Sequence, residues 1–366
     1  MLPDWLEPPP EALAGLNASE EEAGAALACE APGIRQFAAL LSPRADALLE
    51  TVAQRARDAT ARHFGKTIAL YAPLYLSNLC GSGCAYCGFA SDRRQARRTL
   101  GAAQIDAELD ALAAKGFEEV LLLTGERTAR AGFDYVLDAV ARAAARFHLV
   151  TVESFAMTAE EYGALARAGC TGITLYQETY DPEVYAAVHR WGPKRDYRFR
   201  LETPARALAA GMRTAGLGVL LGLAEPRRDA LRLFRHVEHL RRRYWQGGIA
   251  VSFPRIRPQR GGFTPPHPVD EKLLARIILA FRIAWPDLPL TLSTRERAEF
   301  RDGMAGLGIS RMSIESRTTV GGYRGGAEES GGQFEVCDQR DLRGFCAALE
   351  AKGLQPVFKN WDAVYR

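Results

Sequence analysis

The chain has 366 residues, 47% hydrophobic and 25% charged, too many for one small module and suited to one large barrel or two medium domains around a sizeable core. Its formal charge of +3, from 47 Lys and Arg against 44 Asp and Glu, comes without a long single-sign block, so nucleic-acid binding is not indicated despite the local basic cluster Arg93, Arg94, Arg97 and Arg98. The opening MLPDWLEPPPEALAGL carries acids and prolines where a secretory leader needs a basic start and an apolar run, and no stretch approaches the ~18 apolar residues of a membrane helix. The expectation is a cytoplasmic protein with no membrane contact, in which the Asn17-Ala-Ser19 triplet never meets glycosylation machinery.

Residues 1–66 read as an N-terminal helical segment, with apolar positions at helical spacing through SPRADALLETVAQRARDATARHFG. From residue 67 to 317 short apolar runs alternate with Ala/Arg/Glu-rich helical stretches, the signature of a parallel sheet with crossover helices. Eight strands are predicted, at 68–77, 119–126, 149–155, 172–178, 216–223, 248–254, 288–296 and 310–316, which fit a closed β/α barrel of the TIM type better than an open sheet. Polar residues recur at their ends, namely Glu126, Glu153, Glu178, Arg255, Arg295, Ser313 and Ser316, and in such a barrel these would converge on one mouth. Residues 318–366 form a C-terminal covering segment: the glycine-rich TTVGGYRGGAEESGGQFEV, a helix near 338–352 and a strand-like close.

Seven cysteines are an odd number for a disulfide framework. Cys29, Cys170, Cys337 and Cys346 stand singly, as ordinary packed thiols do, but Cys80, Cys84 and Cys87 crowd into eight residues just after the first predicted strand. Three thiolates leave one iron of a four-iron cluster without a protein ligand, and that open iron is a place for a cofactor. Zinc is the weaker reading, because no fourth ligand lies at suitable spacing.

The CxxxCxxC spacing, with Tyr86 before the last cysteine, resembles the radical SAM superfamily. The ordered set APLYLSNLC, CAYCGF, LLLTGE, YQETY, RLETPARALAAG, GLGVLLGL, VSFPRIRP, LSTRE, VGGY and KNWD resembles one branch of it, the 2-iminoacetate synthase family, from about residue 66 onward. That resemblance implies a 4Fe-4S cluster on Cys80, Cys84 and Cys87, S-adenosyl-L-methionine (SAM) chelated at the open iron, and a 5'-deoxyadenosyl radical. The radical removes a hydrogen atom from the amino nitrogen of L-tyrosine, after which the Cα–Cβ bond breaks to p-cresol and dehydroglycine, which is 2-iminoacetate, for the thiazole of thiamin. It also implies thiazole synthase as protein partner and a flavodoxin- or ferredoxin-type electron donor.

Residue by residue, the resemblance implies cofactor contacts for Tyr86 at the adenine, Glu126 at the SAM ammonium, Glu153 and Glu178 at the ribose or ammonium, and Arg200, with Arg198 as its alternative, at the SAM carboxylate. On the substrate side it implies Arg295 for the amino-acid carboxylate, where a guanidinium offers a two-pronged fork, with Ser313, Ser316 and Tyr75 beside it. Gly321-Gly322-Tyr323 would be a lid element. The hydrogenase-maturing tyrosine lyases carry a C-terminal cluster extension that this chain lacks, which favours the thiamin branch. Two alternatives remain, a lyase for another aromatic amino acid such as tryptophan and a non-catalytic iron-sulfur electron carrier; the strand-end charges count against the carrier.

Overall fold

A computed structural model describes residues 2–324 and 331–358; the KNWD motif at 359–362 lies outside the described residues. The chain begins with helices α1 (Pro10–Gly15), α2 (Glu20–Ala28), α3 (Ile34–Leu40) and α4 (Leu49–Phe64). Local chemistry starts α2: the Ser19 hydroxyl accepts from the Glu22 amide while the Glu22 carboxylate accepts from Ser19, a reciprocal cap. Helices α3 and α4 pack against later helices of the barrel, α1 and α2 pack on α3, and Trp5 stacks on His239 at 4.1 Å.

The barrel strands are β1 (Thr67–Tyr75), β2 (Glu119–Leu123), β3 (Leu149–Glu153), β4 (Gly172–Thr174), β5 (Thr214–Gly218), β6 (Gly248–Ser252), β7 (Leu290–Leu292) and β8 (Arg311–Ser313). Each pairs in parallel with the next, and β1 pairs with both β8 and β2, closing the ring. Between them run α5 (Ala102–Ala114), α6 (Phe133–Ala144), α7 (Ala159–Arg167), α8 (Pro182–Val188), α9 (Tyr197–Leu201), α10 (Thr203–Ala209), α11 (Pro226–Arg243), α12 (Glu271–Ala284) and α13 (Ala298–Met304). Strand β1 is apolar on both faces because a closed parallel barrel buries both.

All eight expected strands form, but most are shorter than the apolar runs suggested. Glu126, Glu178, Arg255, Arg295 and Ser316 lie past the named ends of their strands, in the segments that rim the carboxyl end, where Glu178 and Arg255 still make single parallel bridges to Val219 and Leu221. Polar side chains there find charged partners from neighbouring loops, as Glu126 and Glu178 do with Arg200 and Arg255 does with Glu296. Register sets the depth of the mouth: Leu123 pairs with Tyr75 on one side and Glu153 on the other, so Tyr75 and Glu153 share one level.

After β8 the chain crosses the mouth, forms α14 (Leu342–Ala351), and ends the described region with β9 (Gln355–Val357), which pairs with the start of β1. A buried ion pair between Arg301 and Asp338 ties this segment to α13, and Arg301 also donates to the Ser313 carbonyl. The Gly321-Gly322-Tyr323 turn, expected as a lid element, is anchored to the barrel wall: the Gly321 amide donates to the Tyr75 carbonyl at 2.9 Å and the Tyr323 hydroxyl to Pro73 O at 2.6 Å. Among the described residues of this segment, Gln333 and Phe334 reach the mouth, against Tyr75 and Arg295.

Candidate functional site

The cysteine loop follows β1 and is held by backbone contacts to distant segments. Gly83 and Ala85 donate to the carbonyls of Trp191 and Val188, an antiparallel contact that runs alongside Cys84. Close approach explains two of the glycines: a Cβ on Gly83 would lie 2.1 Å from the Trp191 ring, and one on Gly125 would lie 2.4 Å from Leu79 O. From the basic cluster, Arg97 turns inward and donates to the carbonyls of Asn78, Phe89 and Ala90 at 2.5, 2.9 and 2.6 Å, while Arg93 donates to Ala85 O at 2.8 Å. Loop carbonyls with no sheet partner are thereby satisfied by guanidinium groups.

Backbone amides point at two of the sulfurs, from Glu126 to Cys80 Sγ and from Phe89 to Cys87 Sγ, each at 3.4 Å. Burial, and then the neighbouring Cys87, push the Cys80 thiol up to about 11, and burial pushes Cys84 up as well. Three thiolates carried by one loop need a strongly cationic partner. Among the described residues no three His, Cys, Asp or Glu side chains are gathered tightly enough to hold a single metal ion. An all-sulfur donor set with amides aimed at it fits an iron-sulfur cluster instead.

Beside the thiols lies a network of buried charges. Arg200 donates to Glu126 at 3.1 Å and to Tyr176 O at 2.8 Å, and stands 3.6 Å from Glu178. Lys194 donates to Glu178 at 2.6 Å and lies 5.6 Å from the centre of the Tyr86 ring. Burial raises the Glu178 carboxyl, but Lys194 and Arg200 outweigh it and hold the group below its ordinary value. Glu178 also adopts φ 73°, a left-handed backbone that a glutamate pays for, and such strain clusters at ligand sites. Arg198, the alternative to Arg200, is largely exposed and pairs with Glu202 at 2.8 Å. Tyr86 donates its hydroxyl to His189 Nε2 at 2.7 Å, because His189 Nδ1 must carry the proton that goes to Tyr185 O. Burial, with Lys194 and Arg200, lowers His189 to about 2, so the ring stays neutral.

A mouth cavity of about 50 Å³ is lined by Tyr75, Glu153, Tyr176, Arg295, Ser313 and Phe334. The Ser316 hydroxyl also borders it, and donates to Ser313 Oγ at 3.2 Å. The face of Phe334 covers the Arg295 guanidinium at 3.3 Å, and Tyr75 donates to Gln333 at 2.7 Å. Behind Arg295, Glu296 is buried between Arg255, at 3.0 Å, and Arg257, at 2.8 Å. A larger cavity, about 920 Å³, opens at the other end of the barrel around Thr67, Glu119, Thr214 and Arg311. Size alone would favour that end, but barrel chemistry gathers at the carboxyl ends of the strands, where the thiols and the charges are.

Every candidate residue therefore falls on one rim, in two groups. Tyr86, Glu126, Glu178 and Arg200 lie with the cysteines; Tyr75, Arg295, Ser313 and Ser316 line the mouth cavity, and Glu153 sits with this second group. The sequence reading passed over Lys194, His189, Glu296, Gln333 and Phe334. Glu296, adjacent to Arg295 at a strand end, was the one that position alone could have flagged.

Residues 74–237 match the Radical SAM superfamily model and residues 252–355 match the Biotin and Thiamin Synthesis associated domain. The chain is 43% identical over 326 residues to 2-iminoacetate synthase from Salmonella typhimurium and, equally, from Escherichia coli, covering 89% of this chain and 86% of theirs. Among solved structures, HydG, a maturase of the FeFe-hydrogenase, superposes with a TM-score of 0.90 at 30% identity, covering 96% of this chain and 79% of HydG. A thiol triad in the family's spacing, set on the rim of a closed parallel barrel, agrees with these matches: the chain belongs to the 2-iminoacetate synthase family of radical SAM enzymes.

Proposed function

We propose that this protein is a tyrosine lyase, cleaving the Cα–Cβ bond of L-tyrosine to 2-iminoacetate and p-cresol. The observation that carries the reading is the pairing on one rim of a cysteine triad with an arginine, Arg295, whose guanidinium has no hydrogen-bond or ion-pair partner among the described residues. Arg200, Arg255 and Arg257 are all committed to carboxylates. Arg295 is thus free to take a substrate carboxylate through its fork.

The cofactors are a 4Fe-4S cluster and SAM, which together supply one-electron cleavage of a carbon–sulfur bond and hence a carbon radical. In this reading Cys80, Cys84 and Cys87 hold the cluster, Glu126 and Glu178 accept from the SAM ammonium or ribose, Arg200 and Lys194 neutralise its carboxylate, and Tyr86 packs on the adenine. Phe334 and Gln333 keep water from the mouth, and Tyr75, Ser313 and Ser316 orient the substrate head group.

The division into an N-terminal helical segment (1–66), the barrel (67–317) and a covering segment (318–366) belongs to this reading. So do a cytoplasmic location, a flavodoxin- or ferredoxin-type donor, and hand-over of the hydrolysable product to thiazole synthase. Among the described residues no helix is long and apolar enough to cross a membrane.

The test is anaerobic loading with iron and sulfide, then dithionite, SAM and L-tyrosine, assaying 5'-deoxyadenosine, p-cresol and glyoxylate, the hydrolysis product of 2-iminoacetate. All three are expected together. Deoxyadenosine without p-cresol would redirect the search to another amino acid, and a fully loaded protein that cleaves no SAM would overturn the enzymatic reading.

A further inference from the structure

We propose that Glu153 is the proton acceptor that converts the ammonium of the bound amino acid to a free amine before hydrogen-atom removal; the assignment rests on the lyase reading above. The expectation from resemblance put Glu153 with the cofactor. The structure puts its carboxylate in the mouth cavity, on the register level of Tyr75 and across from Arg295.

The charges of the rim separate two kinds of group. Glu126 is paired with Arg200, Glu178 with Lys194 and Arg200, and Glu296 with Arg255 and Arg257. Glu153 and Arg295 differ from all of these. Among the described residues neither side chain has a hydrogen-bond or ion-pair partner, and they make no ion pair with each other within 4.0 Å, although each feels the other's charge. Two opposite charges that share a cavity without meeting leave a gap that an amino-acid head group, with one charge of each sign, fills end to end. Arg295 then faces the carboxylate and Glu153 the ammonium.

The chemistry asks for this acceptor. An ammonium nitrogen has no lone pair, and taking a hydrogen atom from it leaves a charged radical; a neutral amine gives up hydrogen to leave a neutral one. In the proposed step an N–H bond of the ammonium breaks, an O–H bond forms on Glu153, and both groups end neutral, with no electron transferred. A low-dielectric cavity favours that loss of two charges. Facing Glu153 are Tyr71 and Tyr75 from β1, Tyr176 and Glu178 beyond β4, Lys194 and Arg200 before α10, and Arg295 beyond β7. Burial raises the carboxyl and Arg295 opposes it, for a net rise to about 7, close to the working range of a general base.

The experiment compares wild type, Glu153→Gln and Glu153→Asp. It measures SAM and tyrosine binding by calorimetry without reductant, then p-cresol and 5'-deoxyadenosine formation from pH 6 to 9. Wild-type p-cresol formation is expected to fall as pH drops through about 7, because a protonated Glu153 cannot accept. E153Q should bind SAM normally but form p-cresol about 10²-fold more slowly, with its acid limb moved up toward the ionisation of the substrate's own amine. E153D should recover part of the rate and keep the limb near its wild-type place. If wild type makes p-cresol and E153Q matches it in rate and pH profile, Glu153 has no such role. If E153Q instead loses SAM affinity while p-cresol per deoxyadenosine is unchanged, Glu153 is a cofactor ligand and the assignment falls. A loaded wild type that makes no p-cresol at all overturns the tyrosine reading first, and this step with it.

Discussion

Arg295 shows what a single residue's surroundings decide. Its backbone is held by the turn after β7, its guanidinium face is covered by Phe334, and its neighbour Glu296 is locked by two other arginines, so the in-plane N–H groups remain for a ligand. Lysine at this position would keep the charge and lose both the stacking and the fork. Arg295→Lys is therefore expected to raise the tyrosine KM at least about 10-fold, the scale of one charged hydrogen bond, with little change in SAM affinity. Equal losses for both ligands would mean that the whole rim had moved. In the sequence, LSTRE marked this arginine, but nothing there showed that the other rim arginines are already engaged.

Among elements, the cysteine loop depends most on partners from elsewhere. Strand β1 delivers it to the rim, and Arg97 fastens it by donating to three of its carbonyls. The local basic cluster of the sequence is in part an internal brace. Arg97→Ala should leave the barrel folded, since the loop's buried side chains belong to small clusters at the mouth and not to the main core, but should reduce iron bound per chain after reconstitution. Far-ultraviolet circular dichroism and iron analysis separate the two effects; full iron loading in R97A would show that the brace is dispensable. Sequence spacing made the three thiols legible because they are near neighbours in the chain. Lys194 and Gln333 were not legible, because they reach the same site from roughly a hundred and more residues away.

Across the whole molecule, buried ionisable groups connect helices to the rim. Asp229, in the first turn of α11, accepts from the Tyr180 amide at 2.9 Å and the Thr179 hydroxyl at 3.2 Å, next to the strained Glu178. Burial raises its carboxyl from 3.8 to about 7, so the folded state favours the protonated form. That contribution is complete below about pH 4 and is lost as pH rises through 7, leaving a buried charge that costs stability in alkaline solution. Asn keeps an acceptor for both donors and carries no charge. Asp229→Asn should therefore be more stable than wild type at pH 8.5, by on the order of 1 kcal/mol or more, with the advantage shrinking toward pH 5. Denaturant unfolding at the two pH values measures this, and an advantage that does not vary with pH would exclude titration of Asp229 as its cause.

The sequence by itself determined the barrel, the thiol triad and the strand-end charges, because hydrophobic periodicity and ligand spacing are local properties of the chain. The tertiary structure alone decided which charges are spent on each other and which are left for a ligand. That left Glu153 unpaired while Glu178 is paired, buried Arg200 against Glu126 while Arg198 stays exposed, and brought Phe334 and Gln333 to the mouth. Pairing of this kind depends on distances between side chains far apart in sequence, which closure of the barrel sets.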